Sequence, residues 1–179
     1  MKKLFLIFIT SLFITNTAIA DDCEVKVNLQ EYTPLASANF PLVTLTGLEM
    51  KVEQPISFGV SDSPLIFFNN GKVIGFNYRE TVTGSKLKPD MFYLKLFGLL
   101  PLGDDMNAIQ KVRKEEGLCN GQITAIKIAN KSFMAFMRPL NNDYINVYLV
   151  PVERKGFIHF IKFKGFPEKV VGEIVTTIK

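Results

Sequence analysis

Tryptophan is absent from the 179 residues, histidine occurs once and cysteine twice. Each scarcity narrows the chemistry. Histidine is the usual general base and metal ligand, and the single one, His159, lies between Ile158 and Phe160 in a stretch that reads as a strand. The expectation there is a packed side chain with a hydrogen-bonded ring. Neither HExxH nor GxSxG occurs, and the cysteines lack C-x-x-C spacing, so no metal ligand set and no disulfide-exchange motif is visible. The acid pairs Asp21-Asp22, Asp104-Asp105 and Glu115-Glu116 are sequence neighbours, which do not share a helix face. Ser85, in the polar loop of residues 80–90, has no base beside it. Together these gaps predict a protein that is not an enzyme and uses no cofactor and no metal.

Long apolar runs are also missing beyond the first residues, so no transmembrane segment is expected after them. The first twenty residues combine Lys2 and Lys3, an apolar run from Leu4 to Ile14, and Ala18-Ile19-Ala20. This is the layout of a signal peptide with a small-residue cleavage site after Ala20. Asp21 and Asp22, directly before Cys23, argue against lipid attachment to that cysteine. The reading is a periplasmic or secreted protein, soluble after cleavage. In such a compartment Cys23 and Cys119 form the one possible intramolecular pair, and a disulfide between them is predicted. Closing a loop of roughly a hundred residues would contribute about 4–5 kcal/mol in the chain-entropy model.

Removing residues 1–20 leaves a single α+β domain, 21–179, and lowers the net charge from +4 to +2. The residual charge is uneven: residues 21–79 carry net −3 and residues 80–179 carry net +5. No cluster of Lys and Arg with interleaved aromatics suggests nucleic acid as a partner. What the chain has in quantity is phenylalanine, 16 in all and 13 after the signal.

Residues 21–64, with Pro34, Pro41, Pro55 and Pro64, read as an extended N-terminal arm holding one or two short strands, Leu42 to Leu45 among them. "LIFFNNGKVIGFNY" gives two β-rich runs, Leu65 to Phe68 and Lys72 to Tyr78, around Asn69-Asn70-Gly71, a strong hairpin signal. Pro89 then starts a helix that Pro101 stops, apolar on most sides from Met91 to Leu100. A second helix fits Asp104 to Glu116, capped by Asp104 or Asp105, with Ile109 and Val112 inward and Gly117 as its stop. Four strands follow: Ile123 to Ile128, Phe133 to Arg138, Tyr144 to Val150 and Phe157 to Lys164. Ile145, Val147 and Leu149 share one face of the third; "FIHFIKF" is apolar on both faces, as a covered central strand would be. A last helix begins at Pro167-Glu168 and turns Val170, Val171, Ile174, Val175 and Ile178 inward, with Gly172 costing propensity. The fold class is therefore α+β: an antiparallel sheet made of the hairpin and the four-strand meander, with two central helices and a C-terminal helix packed on it.

Two features suggest a binding surface, the apolar Met91 to Leu100 helix and the aromatic richness of the sheet. The residues assigned to it are Tyr78, Lys86, Lys88, Phe92, Lys95, Tyr144 and Tyr148. The functional expectation is an exported, non-catalytic protein that binds another protein, an inhibitor or immunity protein being one example. The alternative is a carrier of an apolar small molecule, a lipid or acyl chain held between the sheet and the Met91 to Leu100 helix. A hydrolase would require carboxylates from separate elements to converge, and no sequence feature selects such a pair.

Overall fold

Asn70 has φ 62° and Gly71 φ 71°, the left-handed values that make Asn-Gly a tight-turn sequence. They join strands β5 (Pro64–Phe67) and β6 (Val73–Arg79) as the spacing predicts. A computed structural model describes residues 23–44, 46–119, 121–140 and 143–179. The expected signal peptide, with its cleavage point, lies outside the described residues.

The meander forms strands β7 (Gln122–Ile126), β8 (Phe133–Pro139), β9 (Tyr144–Pro151) and β10 (Ile158–Lys164). Between β7 and β8 the Asn130 side chain accepts the Ser132 N–H at 2.9 Å, a local bond of the kind that makes Asn a turn residue. The N-terminal arm is more ordered than expected. It contributes β1 (Lys26–Gln30), β2 (Phe40–Val43), β3 (Glu49–Val52) and β4 (Ser57–Val60), where the sequence suggested one or two strands. These pieces are four or five residues long and punctuated by proline, too short to show a period.

Eight strands make one sheet in the order β1-β7-β8-β9-β10-β6-β5-β4, and β2 pairs with β3 as a separate hairpin. The sheet is mixed and not purely antiparallel, because β1 runs parallel to β7. The predicted disulfide is present, with Cys23 and Cys119 Cα atoms 4.4 Å apart. Each of the two parallel strands starts three residues after its cysteine. Equal offsets are what an in-register parallel pair requires.

Helix α1 (Pro89–Leu96) opens with proline in its first turn and α2 (Met106–Glu115) is stopped by Gly117 at φ 65°. α1 ends short of Leu100 because Gly98 takes φ 79° and the Leu99 N–H turns back to the Leu94 carbonyl at 2.9 Å. Both helices lie on one face of the sheet, where Phe92, Leu96 and Ile109 pack with Phe136, Tyr148, Val150 and Ile158. On the other face, α3 (Glu168–Val175) and the β2–β3 hairpin bury Val171, Ile174, Met50 and Val52 against Ile145, Val147, Leu149, Ile161 and Phe163. Alternate residues of β9 and β10 thus serve the two cores; β10 is central as expected, between β9 and β6, but one of its faces is covered only in part, since Lys162 and Lys164 are exposed. Gly172 is explained by the Tyr32 ring, which would lie 2.5 Å from a Cβ there.

Arg113 ties three segments together. Its guanidinium donates to the carbonyls of Leu96 (2.9 Å), Lys95 (2.7 Å) and Cys23 (2.9 Å). The end of α1, the body of α2 and the disulfide are joined by one planar fork.

Candidate functional site

Strand β4 closes the sheet at one end, so one row of its backbone N–H and C=O groups has no strand beside it. Its face carries Phe58 and Val60, preceded by Ile56; these side chains are 62%, 85% and 62% exposed. No charged residue lies between Ile56 and Val60. Edge strands are normally protected by charge, proline or a covering element, because an open apolar edge pairs with other chains. Here the strand itself lacks that charge.

Phe58 and Val60 form one rim of a groove of about 380 Å³ between the β2–β3 hairpin and strands β4, β5, β6 and β10. Leu42 and Leu48 wall it on the hairpin side, while Phe58, Val60, Ile66 and Phe76 contribute from the sheet. The hairpin is held against the sheet by its own apolar residues and by the chain's end. The Lys51 N–H donates to Thr177 Oγ1 at 2.8 Å, and Glu49 and Lys179 exchange backbone bonds at 3.3 and 2.9 Å.

Thr46, Tyr78 and His159 close one end of the groove. His159 is buried, with Nδ1 3.2 Å from Thr46 Oγ1 and rings of Tyr78, Phe133 and Phe157 at 5.3–5.4 Å. Burial pushes its pKa down to about 4, so at neutral pH the imidazole is uncharged. Packed with a hydrogen-bonded ring is what the sequence led us to expect of it. Chemically the groove offers apolar surface, two threonine hydroxyls, a neutral imidazole and an unpaired strand edge. It suits apolar side chains or an alkyl chain.

The seven residues assigned from sequence do not form one surface. Tyr78, 40% exposed, reaches the groove. Lys86 and Lys88 are exposed in the segment before α1. Tyr144 is half-buried on the opposite face, its ring under Lys162 Nζ at 4.2 Å. Phe92 and Tyr148 are buried, which corrects their assignment to an exposed surface: β9 points Tyr148 into the core that α1 covers. Lys95 also has a structural role, donating to the Leu102 carbonyl at 2.9 Å and to Asp105 at 2.5 Å. The Met91 to Leu100 segment is therefore mainly core.

An apolar pocket was expected between that helix and the sheet. A cleft is present there, but Arg79, Glu116, Arg138 and Asn146 are among its lining residues, and the apolar groove lies on the other face. Ile56, Phe58, Val60, Leu42 and Leu48 escaped the sequence reading. The alternation in "PISFGV" was the available signal, diluted by Pro55 and Gly59.

Among the described residues no three His, Cys, Asp or Glu side chains come together to hold a metal, and no helix is long and apolar enough to cross a membrane. A scan against protein-family models and searches of curated proteins and solved structures gave no match to this chain.

Proposed function

We propose that the protein is an exported, non-catalytic binder of another protein, and that it takes an extended apolar segment of its partner along β4. The observation that carries this reading is the exposed, uncharged edge strand β4 (Ser57–Val60) beside an apolar groove. Strand addition uses both parts: main-chain bonds to the open edge supply affinity, and a groove for alternate side chains supplies specificity. Inhibition of an exported enzyme, or immunity to a toxin, would be one use of such binding. The Cys23–Cys119 disulfide supports work in an oxidising compartment, periplasmic or extracellular, and fits the signal-like first twenty residues.

Selection from a displayed library of short peptides, with the oxidised chain 21–179 as bait, tests the reading. Enriched peptides with apolar residues at alternate positions, bound by the parent protein and lost with Val60→Lys and Phe58→Asp, are the expected result. Both side chains are exposed, so the variants should fold. No enrichment, or binding indifferent to both substitutions, would sink the proposal.

The groove's apolar walls favour a second reading, the carrier of an acyl chain. Its volume falls within the range of small-molecule sites. Native mass spectrometry of the freshly purified protein separates the two: a retained lipid lost with Phe58→Asp would put the carrier first.

A further inference from the structure

On the sheet face opposite the groove, a cleft of about 620 Å³ opens between α1, the end of α2 and strands β6, β8, β9 and β10. Its floor is aromatic: the Tyr93 and Tyr148 rings lie 4.9 Å apart, and Phe160 is 5.2 Å from Tyr148. Arg79 lies over Phe160, its guanidinium 4.5 Å from the ring centroid, and donates Nη1 to the Tyr93 hydroxyl at 2.9 Å. A guanidinium has five N–H donors. Arg79 makes no salt bridge among the described residues, and the two contacts above account for one N–H and the planar face.

The cleft also holds Asn146, 8% exposed. Its Nδ2 donates to the Tyr148 hydroxyl at 3.3 Å, while its Oδ1 is the one buried side-chain polar atom without a partner among the described residues. A buried carbonyl oxygen left unmatched costs about 1–3 kcal/mol. The other charges in the cleft are already engaged or open to solvent. Arg138 bonds both the carboxylate and the backbone carbonyl of Glu116. Glu115 is exposed and 3.8 Å from Lys111, and Glu80 is exposed. The uncommitted groups are thus a cation at one end and an acceptor at the other. Phe160 pairs with Tyr148 across the strands, which makes Asn146 its diagonal neighbour, about 7–8 Å away. Arg79, lying over Phe160, and Asn146 therefore open on the same aromatic floor.

We infer that this cleft is a second binding site, for a small aromatic carboxylate that carries a hydrogen-bond donor opposite its carboxyl group. The carboxylate pairs with Arg79, the ring lies among Tyr93, Tyr148 and Phe160, and the donor satisfies Asn146 Oδ1. This site has no part in the strand-edge reading and stands or falls separately.

The test is a ¹⁵N NMR titration of the oxidised chain 21–179 with three probes: 4-hydroxybenzoate, benzoate and 4-hydroxybenzamide. Saturable shifts in β6, β9 and α1 with 4-hydroxybenzoate are expected. Benzoate, lacking the donor, and 4-hydroxybenzamide, lacking the charge, should each bind at least tenfold more weakly. Arg79→Gln should abolish the preference for the carboxylate over the amide. Asn146→Leu should abolish the preference for the hydroxyl; if that variant fails to fold, Arg79→Gln and the probe series still decide. No saturable shift at millimolar probe, equal affinity for the three probes, or shifts confined to the groove face would overturn the site.

Discussion

His159 carries its information in where it sits. It is the only histidine of the chain, buried among Tyr78, Phe133 and Phe157 with Thr46 on Nδ1. The expectation of a packed, hydrogen-bonded ring could be read from its apolar strand neighbours, although its position at the end of a groove could not. Burial lowers its pKa from 6.5 to about 4, which fixes the sign of a pH effect. Below the unfolded value the unfolded chain binds a proton that the folded chain resists, so stability rises with pH in this window. His159 therefore contributes fully above pH 6.5, and its contribution is lost as pH falls from 6.5 towards 4. Two measurements check this. The imidazole proton resonances, unambiguous with one histidine, should titrate near pH 4, and the urea midpoint should fall across the same window more steeply than in His159→Gln. A midpoint of titration at the ordinary histidine value would contradict the burial argument.

Elements built from local signals were legible. Proline at the start of α1, Gly117 after α2, the Asn70-Gly71 turn and the inward stripe of α3 each follow from one stretch of chain. Partners chosen at a distance were not. β1 joins β7 across more than ninety residues, and no local period announces a parallel neighbour. The single clue was arithmetic, the two cysteines standing at equal offsets before their strands. The buried cation that consolidates this corner was missed too. In sequence Arg113 stands among the polar residues Gln110, Lys111 and Lys114, which give no sign of burial, yet it is 6% exposed. Its three carbonyl partners lie on two different segments outside α2, a geometry a planar fork satisfies and an ammonium does not. Replacing it by lysine keeps the charge and loses most of those bonds. Bonds to a charged donor are worth about 1.5–3 kcal/mol each, so Arg113→Lys should cost about 2–3 kcal/mol after lysine recovers part of the interaction. Urea unfolding of the oxidised protein measures it. An unchanged midpoint would show that the fork is incidental.

At the scale of the whole molecule, one sheet carries two sites on opposite faces, and alternation along single strands divides their side chains between the two cores. β10 turns His159 and Ile161 to the groove's face and Phe160 to the cleft's, and β6 turns Phe76 one way and Arg79 the other, although Asn77, Tyr78 and Phe160 line both openings. The two faces differ in chemistry, uncharged and apolar against aromatic and charged. No stretch of sequence announces this, since each site joins residues brought together only by the sheet order. Among the described residues no hydrogen bond or ion pair links Val60 to Arg79, and neither residue lines the other's site. Mutations at sites that share no partners add to within about 0.3–0.5 kcal/mol. Val60→Lys should therefore abolish binding of a selected peptide and leave 4-hydroxybenzoate affinity unchanged, and Arg79→Gln should do the reverse. Calorimetric titration of both ligands into the parent, the single variants and the double variant closes the cycle. A peptide affinity that moves tenfold on saturating the cleft would mean that the central strands β6 and β10 transmit the occupancy of one face to the other.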